Sequence, residues 1–393
     1  MKLLYIDVNV WHINPTANLL PVLFRMQFPG AALYGPGYTP LSDLRKGLGA
    51  WIATYGPFDA LVVGPHTPLL TTNSDASNSA IDYFRRFTSL AASEESVRGF
   101  FRDVLPLLPS IDVPVKLVST LNHDTYAATE EQVRQVLDGK FCLLGPNSQF
   151  SRPIKEWDRW EADYSRKAAR LSDVWHEFLV AHPERVATAV HYVAESEFFY
   201  TSLDARRWDV AVPGAEYAKR REVLSGFRQS KLVLAPKGYF HAYRVLSKLG
   251  LPVYSWLPTL RLYNILFQST LDGARFVYTA GGGSGNMVRK FVEIPASGAV
   301  LVCAPSNGFA ALGFRAGEHY YRADADSAVE LIAKLNGSRE AQAVAAAGQR
   351  LVMEKHSLAA RGAQIAQCIS AMVRGTFRGA RWNGGEFIVD EAV

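Results

Sequence analysis

The chain has 393 residues, 48% of them hydrophobic and 20% charged, and a formal net charge of +5. Those values describe a globular protein of about two domains and exclude a disordered or fibrous one. No apolar run reaches the roughly 18 residues that span a bilayer. The mild basic excess has no run interleaved with aromatics, so nucleic acid is not expected as a partner.

The first residues, "MKLLYIDVNV", carry no secretory cleavage site and read as a strand over 3–8. Further strands are expected at 31–34, 60–63, 115–119 and 141–144, alternating with helical patterns at 41–55, 96–107 and 130–137. A long segment at 154–181 has aromatics at helical spacing and closes this first half. Residues 185–207 read as a linker. A second alternation follows, with strands at 209–212, 231–235, 276–278, 299–302 and 319–321 and helices at 218–227, 287–297, 327–336 and 340–368. The last stretch, "RGTFRGARWNGGEFIVDEAV", reads as a surface tail or a return crossing. Cys142, Cys303 and Cys368 are isolated and odd in number, as expected of buried thiols in a reduced, cytoplasmic protein.

This rhythm predicts two doubly wound, Rossmann-like α/β domains, residues 1–184 and 208–370, joined by 185–207 and followed by a tail at 371–393. Ligands of such sheets sit outside the carboxyl ends of the strands, which places the site in the cleft between the domains.

Four motifs reach that cleft. In "GGGSGNMVRKFVEIPASGAVLV" the residues Gly282, Gly283, Ser284, Gly285 and Asn286 precede a helix. Free N–H groups at a helix start attract phosphate, and glycines allow close approach. Lys290 would add charge and Glu293 would accept from ribose hydroxyls, although a surface loop before a solvated helix fits the composition equally. The spacing is neither a P-loop nor GxGxxG. "WDVAVPGAEYAKRREVL" is a second strand–turn–helix junction, with Gly214 at the strand end and Arg220 and Arg221 in the helix. It is either another wall of a diphosphate site or, on local evidence, a tight turn with a solvated basic face. "KLVSTLNHDTY" sets His123 and Asp124 past a buried strand, as a general base or as a helix cap. His66 in "VVGPHTPLL" lies at a similar strand end, as a weaker candidate. Asp324 and Asp326 in "YRADADSAVELI" stand before a helix and read as caps, so no metal site is expected.

The second half, residues 205–370, resembles the glycosyltransferases of the CgeB-like type, members of the GT-B fold. The likeness is carried by "WDVAVPGAEYAKRREVL", by "RKFVEIPASGAVLVC" with Lys290, Glu293, Ala296 and Gly298 in matching places, and by "LGFRAGEHYYRADADSAVELIAKL" with the His356 and Arg361 helix after it. It implies two Rossmann-like domains facing each other across a cleft, a nucleotide-diphosphate sugar as donor substrate in the second, and a glycan or lipid-linked acceptor in the first. No cofactor or metal is implied. Gly214 and Arg221, the glycine loop and Lys290 would face the diphosphate, and Glu293 the ribose. Many retaining enzymes of this fold carry a glutamate eight positions before the second one; here Gly285 stands there. If the reaction inverts, Asp124 is the first choice of base and His123 the second. If it retains, no nucleophile stands out. The family also implies bacterial surface polysaccharide synthesis in the cytoplasm, with peripheral attachment at the inner membrane face. A nucleotide-sugar epimerase or hydrolase, or a non-catalytic binding protein, are the alternatives on the same scaffold.

Overall fold

Short branched and aromatic runs form the strands, because a parallel sheet covered on both faces needs apolar side chains at successive positions. The computed structural model describes residues 1–11, 16–69, 76–119, 130–145, 173–214, 218–280, 287–305 and 308–392. In the N-terminal lobe Leu3–Ile6 (β1), Ala32–Tyr34 (β2), Ala60–Val63 (β3), Val115–Ser119 (β4), Phe141–Gly145 (β5) and Val186–Thr188 (β6) make one sheet. Its order is β2-β1-β3-β4-β5-β6, and every pairing is parallel. The sixth strand lies inside the expected linker. Three buried residues, pairing Val186 with Leu143, are too short a run to stand out from sequence.

The C-terminal lobe holds Trp208–Ala211 (β7), Ala274–Thr279 (β8), Val300–Cys303 (β9) and Tyr321–Arg322 (β10), parallel in the order β10-β9-β8-β7. The strand expected at 231–235 is a single bridge, Val210 to Leu234. That segment nevertheless runs along the outer edge of β7, with Ala235 N–H donating to the Val210 carbonyl at 2.8 Å. The chain thus leaves β7 to one side and returns as β8 on the other. The first sheet does the same around β1, with β2 on one side and β3 on the other.

Arg206 ties the second lobe together. Its guanidinium is 3% exposed and donates to the carbonyls of Thr201, Leu271, Ala274 and Ser297 at 2.6–3.2 Å. Two of those carbonyls end helices, where acceptors lack intrahelical partners. Burial lowers its pKa to about 10.

The helix expected at 340–368 is two helices, Arg339–His356 and Leu358–Val373. Ser357 is extended between them, and its hydroxyl accepts from Ala360 N–H at 3.3 Å, so the second helix starts on its own cap. Leu358, Ile365, Cys368 and Ile369 pack with Leu3, Tyr5, Leu20 and Phe24. The return to the first lobe therefore begins at Ser357, not after residue 370. The tail is an antiparallel hairpin, Phe377–Asn383 (β11) with Glu386–Glu391 (β12). Phe377 enters the core of the first lobe and Trp382 that of the second, so the hairpin staples the lobes. At this crossover His356 and Arg361 are fully buried. The Arg361 guanidinium donates to His356 Nδ1 at 3.0 Å and lies 5.0 Å from the Trp382 ring. His356 donates from Nε2 to the Leu312 carbonyl at 3.0 Å. Burial, then the Arg361 charge, pushes its pKa down to about 3, so it is neutral.

Candidate functional site

In each sheet the strand order reverses once, and the crevice at such a reversal is where open α/β sheets take ligands. In the second lobe the crevice lies between the carboxyl ends of β7 and β8. Gly214 closes the first of these ends with φ +87°. A Cβ there would stand 3.1 Å from Lys290 Cε, 3.2 Å from Lys290 Nζ and 3.3 Å from an Arg220 terminal nitrogen. Glycine is therefore required twice, for its backbone and for the approach of two cations.

Arg220 comes from the helix Ala218–Gln229. It is 5% exposed and spans the crevice, donating to Thr279 Oγ1 at 3.1 Å and the Ala280 carbonyl at 3.3 Å. The reason is helical phase: Val223, Leu224 and Phe227 are buried against the sheet, and Arg220 lies three, four and seven positions before them, on the same face. Arg221, the arginine singled out from sequence, is on the exposed face. Lys237 follows the edge segment beside β7 and donates to the Gly214 carbonyl at 3.2 Å. The sequence offered Arg220 only together with Arg221 and assigned the diphosphate contact to Arg221, although the burial phase of the helix was legible; Lys237 it did not offer.

Lys290 opens a helix, Lys290–Ala296, that is shorter than the expected 287–297. Among the described residues its ammonium is in contact with a ring, Phe267 at 5.7 Å to the centroid, and with no carboxylate. Burial first, then the Arg220 charge, lowers its pKa to about 8, with Arg289 and Lys237 adding to the repulsion and Glu293 opposing it. Three basic groups, Arg220, Lys237 and Lys290, thus converge on one glycine turn.

Glu293 lies one turn further along, beside this cluster. Arg289, 4% exposed, donates to Glu293 and also to both oxygens of Glu197, at 2.7 and 2.6 Å. Burial opposes the charge on Arg289, but the two carboxylates outweigh it and hold its pKa above the ordinary value. Glu293 is therefore oriented from below by a buried, doubly paired guanidinium. Gly282, Gly283, Ser284, Gly285 and Asn286 lie outside the described residues, as do His123 and Asp124.

The crevice of the first lobe holds a different chemistry. Asp7, just past β1, is fully buried, and His66 beyond β3 is 5% exposed. His66 Nδ1 lies 3.0 Å from Asp7 Oδ2, and the His66 backbone N–H donates to Oδ1 at 3.1 Å. Thr67 Oγ1 donates to Oδ1 at 3.0 Å and the Tyr5 hydroxyl to Oδ2 at 2.8 Å. Burial, and next the Asp7 charge, keep the Tyr5 hydroxyl protonated by raising its pKa. Gly64 leaves the room: a Cβ there would overlap the Asp7 carboxylate. The carboxylate fixes the imidazole, as an orienting acid does in an acid–base pair. The sequence showed only His66; its partner is 59 residues away.

Asp324 accepts from Ser327 N–H at 3.1 Å and Ser327 Oγ at 2.7 Å ahead of the helix Ala328–Leu335. It acts as a local cap, and the Ser327 bonds lower its pKa.

Comparison with known proteins bears on the second lobe by sequence and on the whole chain by fold. The family described as glycosyl transferase-like matches residues 195–367. HepE of Anabaena, solved in complex with UDP and glucose, is similar in structure with a TM-score of 0.50 at 11% identity, over 94% of this chain and 100% of that one. Sucrose-phosphate synthase from Thermosynechococcus elongatus is similar with a TM-score of 0.51 at 10% identity, over 96% of this chain and 100% of that one. Such low identities bear on fold alone. By sequence, no curated protein matches the chain. Residues 195–367 thus resemble the glycosyl transferase-like family, within a two-lobed α/β chain of the GT-B fold.

Proposed function

We propose that this protein is a metal-independent glycosyltransferase of the CgeB-like type. It moves a sugar from a nucleotide-diphosphate donor to a glycan or lipid-linked acceptor of a bacterial surface polysaccharide, in the cytoplasm at the inner membrane face. The observation that carries the reading is the convergence of Arg220, Lys237 and Lys290 on Gly214 at the β7–β8 crevice. Basic groups gathered at the carboxyl end of a parallel sheet make a positive site for an anion, and a diphosphate brings charge of the matching sign.

In the reaction the acceptor oxygen bonds to the anomeric carbon while the bond from that carbon to the phosphate oxygen breaks. The electron pair leaves with the nucleotide diphosphate. Arg220, Lys237 and Lys290 stabilise that growing charge by fixed electrostatics, the part a cation plays elsewhere. The glycines 282, 283 and 285, with Ser284 and Asn286, belong to the same proposed diphosphate site. The orientation of Glu293 by Arg289 supports its role as acceptor for the ribose hydroxyls. For the acceptor proton Asp124 and His123 remain candidates on sequence. His66, held by Asp7, joins them from the described residues.

Calorimetric titration with nucleoside diphosphates tests the proposal, and the UDP of the HepE complex names the first to try. Micromolar UDP binding that weakens at least tenfold in Glu293→Gln is expected. Absence of binding by every common nucleoside diphosphate would reject it. Incubation with the donor alone, followed by NMR, separates a transferase from an epimerase or hydrolase, which would convert the donor without an acceptor.

A further inference from the structure

The two helices that wall the Lys290 crevice turn an apolar, acid-free face outward. Gly238–Lys248 and Leu257–Gly273 pack on each other through Phe240, Tyr243, Val253 and Tyr263, and the Tyr243 hydroxyl donates to the Thr259 carbonyl at 2.6 Å. That small cluster does not use the other apolar side chains. Val245 is 56% exposed, Leu249 72%, Leu251 50%, Trp256 59%, Leu262 49% and Ile265 62%. One exposed leucine is ordinary; six large apolar residues exposed between 245 and 265 are more than scattered single exposures.

The charges beside them all have one sign. Residues 223–271 contain Arg228, Lys231, Lys237, Arg244, Lys248 and Arg261 and no Asp or Glu. The chain has 37 acidic residues in 393, so an even spread would have put between four and five in that stretch. Arg244, Lys248 and Arg261 are exposed among the apolar residues.

We propose that this face docks the protein peripherally on an anionic phospholipid bilayer. Lysine is depleted at protein–protein interfaces, whereas long basic stems that snorkel, aliphatic side chains and an exposed tryptophan suit the headgroup boundary. No helix among the described residues is long and apolar enough to cross a membrane, so the contact is to the surface. The inner side of the same pair reaches the crevice, through Lys237 on Gly214 and Phe267 against Lys290. Docking would hold the crevice next to the bilayer. The docking face stands without the transferase reading; only its purpose, presenting the crevice to a lipid-linked acceptor, rests on it.

Co-sedimentation of the full chain with vesicles tests the proposal. Vesicles of phosphatidylglycerol and phosphatidylethanolamine should retain the protein and release it as salt rises, and phosphatidylcholine vesicles should retain it at least tenfold less. Lys248→Gln and Arg261→Gln should each lower the partition coefficient about fivefold. The triple variant Leu249→Ser, Trp256→Ser, Ile265→Ser should abolish retention with melting midpoint and UDP affinity unchanged. Equal retention by both vesicle types, or variants that bind like the parent, would overturn it. So would a parent chain that dimerises in light scattering while the triple variant is monomeric, because the face would then be a protein interface. Loss of UDP binding alone would reject the transferase reading and leave this one standing.

Discussion

Replacing Lys290 by methionine should make the empty protein more stable and the liganded one weaker. A lysine ordinarily titrates near 10.4, and in this crevice burial and the Arg220 charge bring it to about 8. The gap is roughly two units at about 1.4 kcal/mol each. Allowing for solvent at a partly exposed group, the folded state carries a penalty of about 1–3 kcal/mol for keeping Lys290 charged at pH 7. Methionine keeps the stem and removes the charge, so the variant should gain about that amount in urea unfolding. The sign follows from proton counts. The penalty is full below pH 8, where folded and unfolded chains both hold the proton. It shrinks as pH rises from 8 to about 10, where only the unfolded chain keeps it. Meanwhile a charge-assisted bond to phosphate is lost, about 1.5–3 kcal/mol, or a UDP affinity lower by roughly 10- to 150-fold. The assay is paired urea melts at pH 7 and pH 10 with UDP titrations at pH 7. A variant less stable than the parent at pH 7, or a stability difference independent of pH, would refute the reasoning.

Three other outcomes follow from named contacts. Gly214→Ala should cost about 1–2 kcal/mol for the left-handed backbone and weaken UDP binding by crowding Lys290, as urea melts and calorimetry would show. Asp7→Asn should lower kcat at least tenfold in a transferase assay while UDP affinity holds, because the imidazole of His66 loses its orienting carboxylate; an unchanged kcat removes His66 from the mechanism. His191 and His356 are buried and neutral, each with a pKa lowered to about 3, by burial first and then by nearby arginines. The unfolded chain takes up these protons below about pH 6.5 and the folded chain does not. Stability should therefore fall as pH drops below 6.5, by at most about 1.4 kcal/mol per pH unit for each histidine, with a shallower slope in His356→Gln.

The strands of both sheets were legible where apolar runs are continuous, as at Ala60–Val63 and Val300–Cys303, because burial on both faces favours apolar side chains at successive positions. Val186–Thr188 was not legible, since three residues carry no period. The helices Gly238–Lys248 and Leu257–Gly273 escaped notice for the opposite reason: much of their apolar surface faces outward, so no single stripe marks a buried side. The break at Ser357 has neither proline nor glycine to announce it; only the serine cap signals a new helix. At the candidate site, Gly214, Lys290 and Glu293 were picked out through order and resemblance. Choosing Arg220 over Arg221 needed the phase of Val223, Leu224 and Phe227, which the sequence contains. The Asp7–His66 pair joins residues far apart in the chain, and no local pattern reveals that.

The most direct measurement is a calorimetric comparison of UDP binding by Arg220→Met and Arg221→Met, adjacent residues of one helix that differ in facing. If the diphosphate lies in the β7–β8 crevice, Arg220→Met should weaken UDP at least tenfold and Arg221→Met should bind like the parent. Equal affinities for the two variants, or a greater loss in Arg221→Met, would contradict the account.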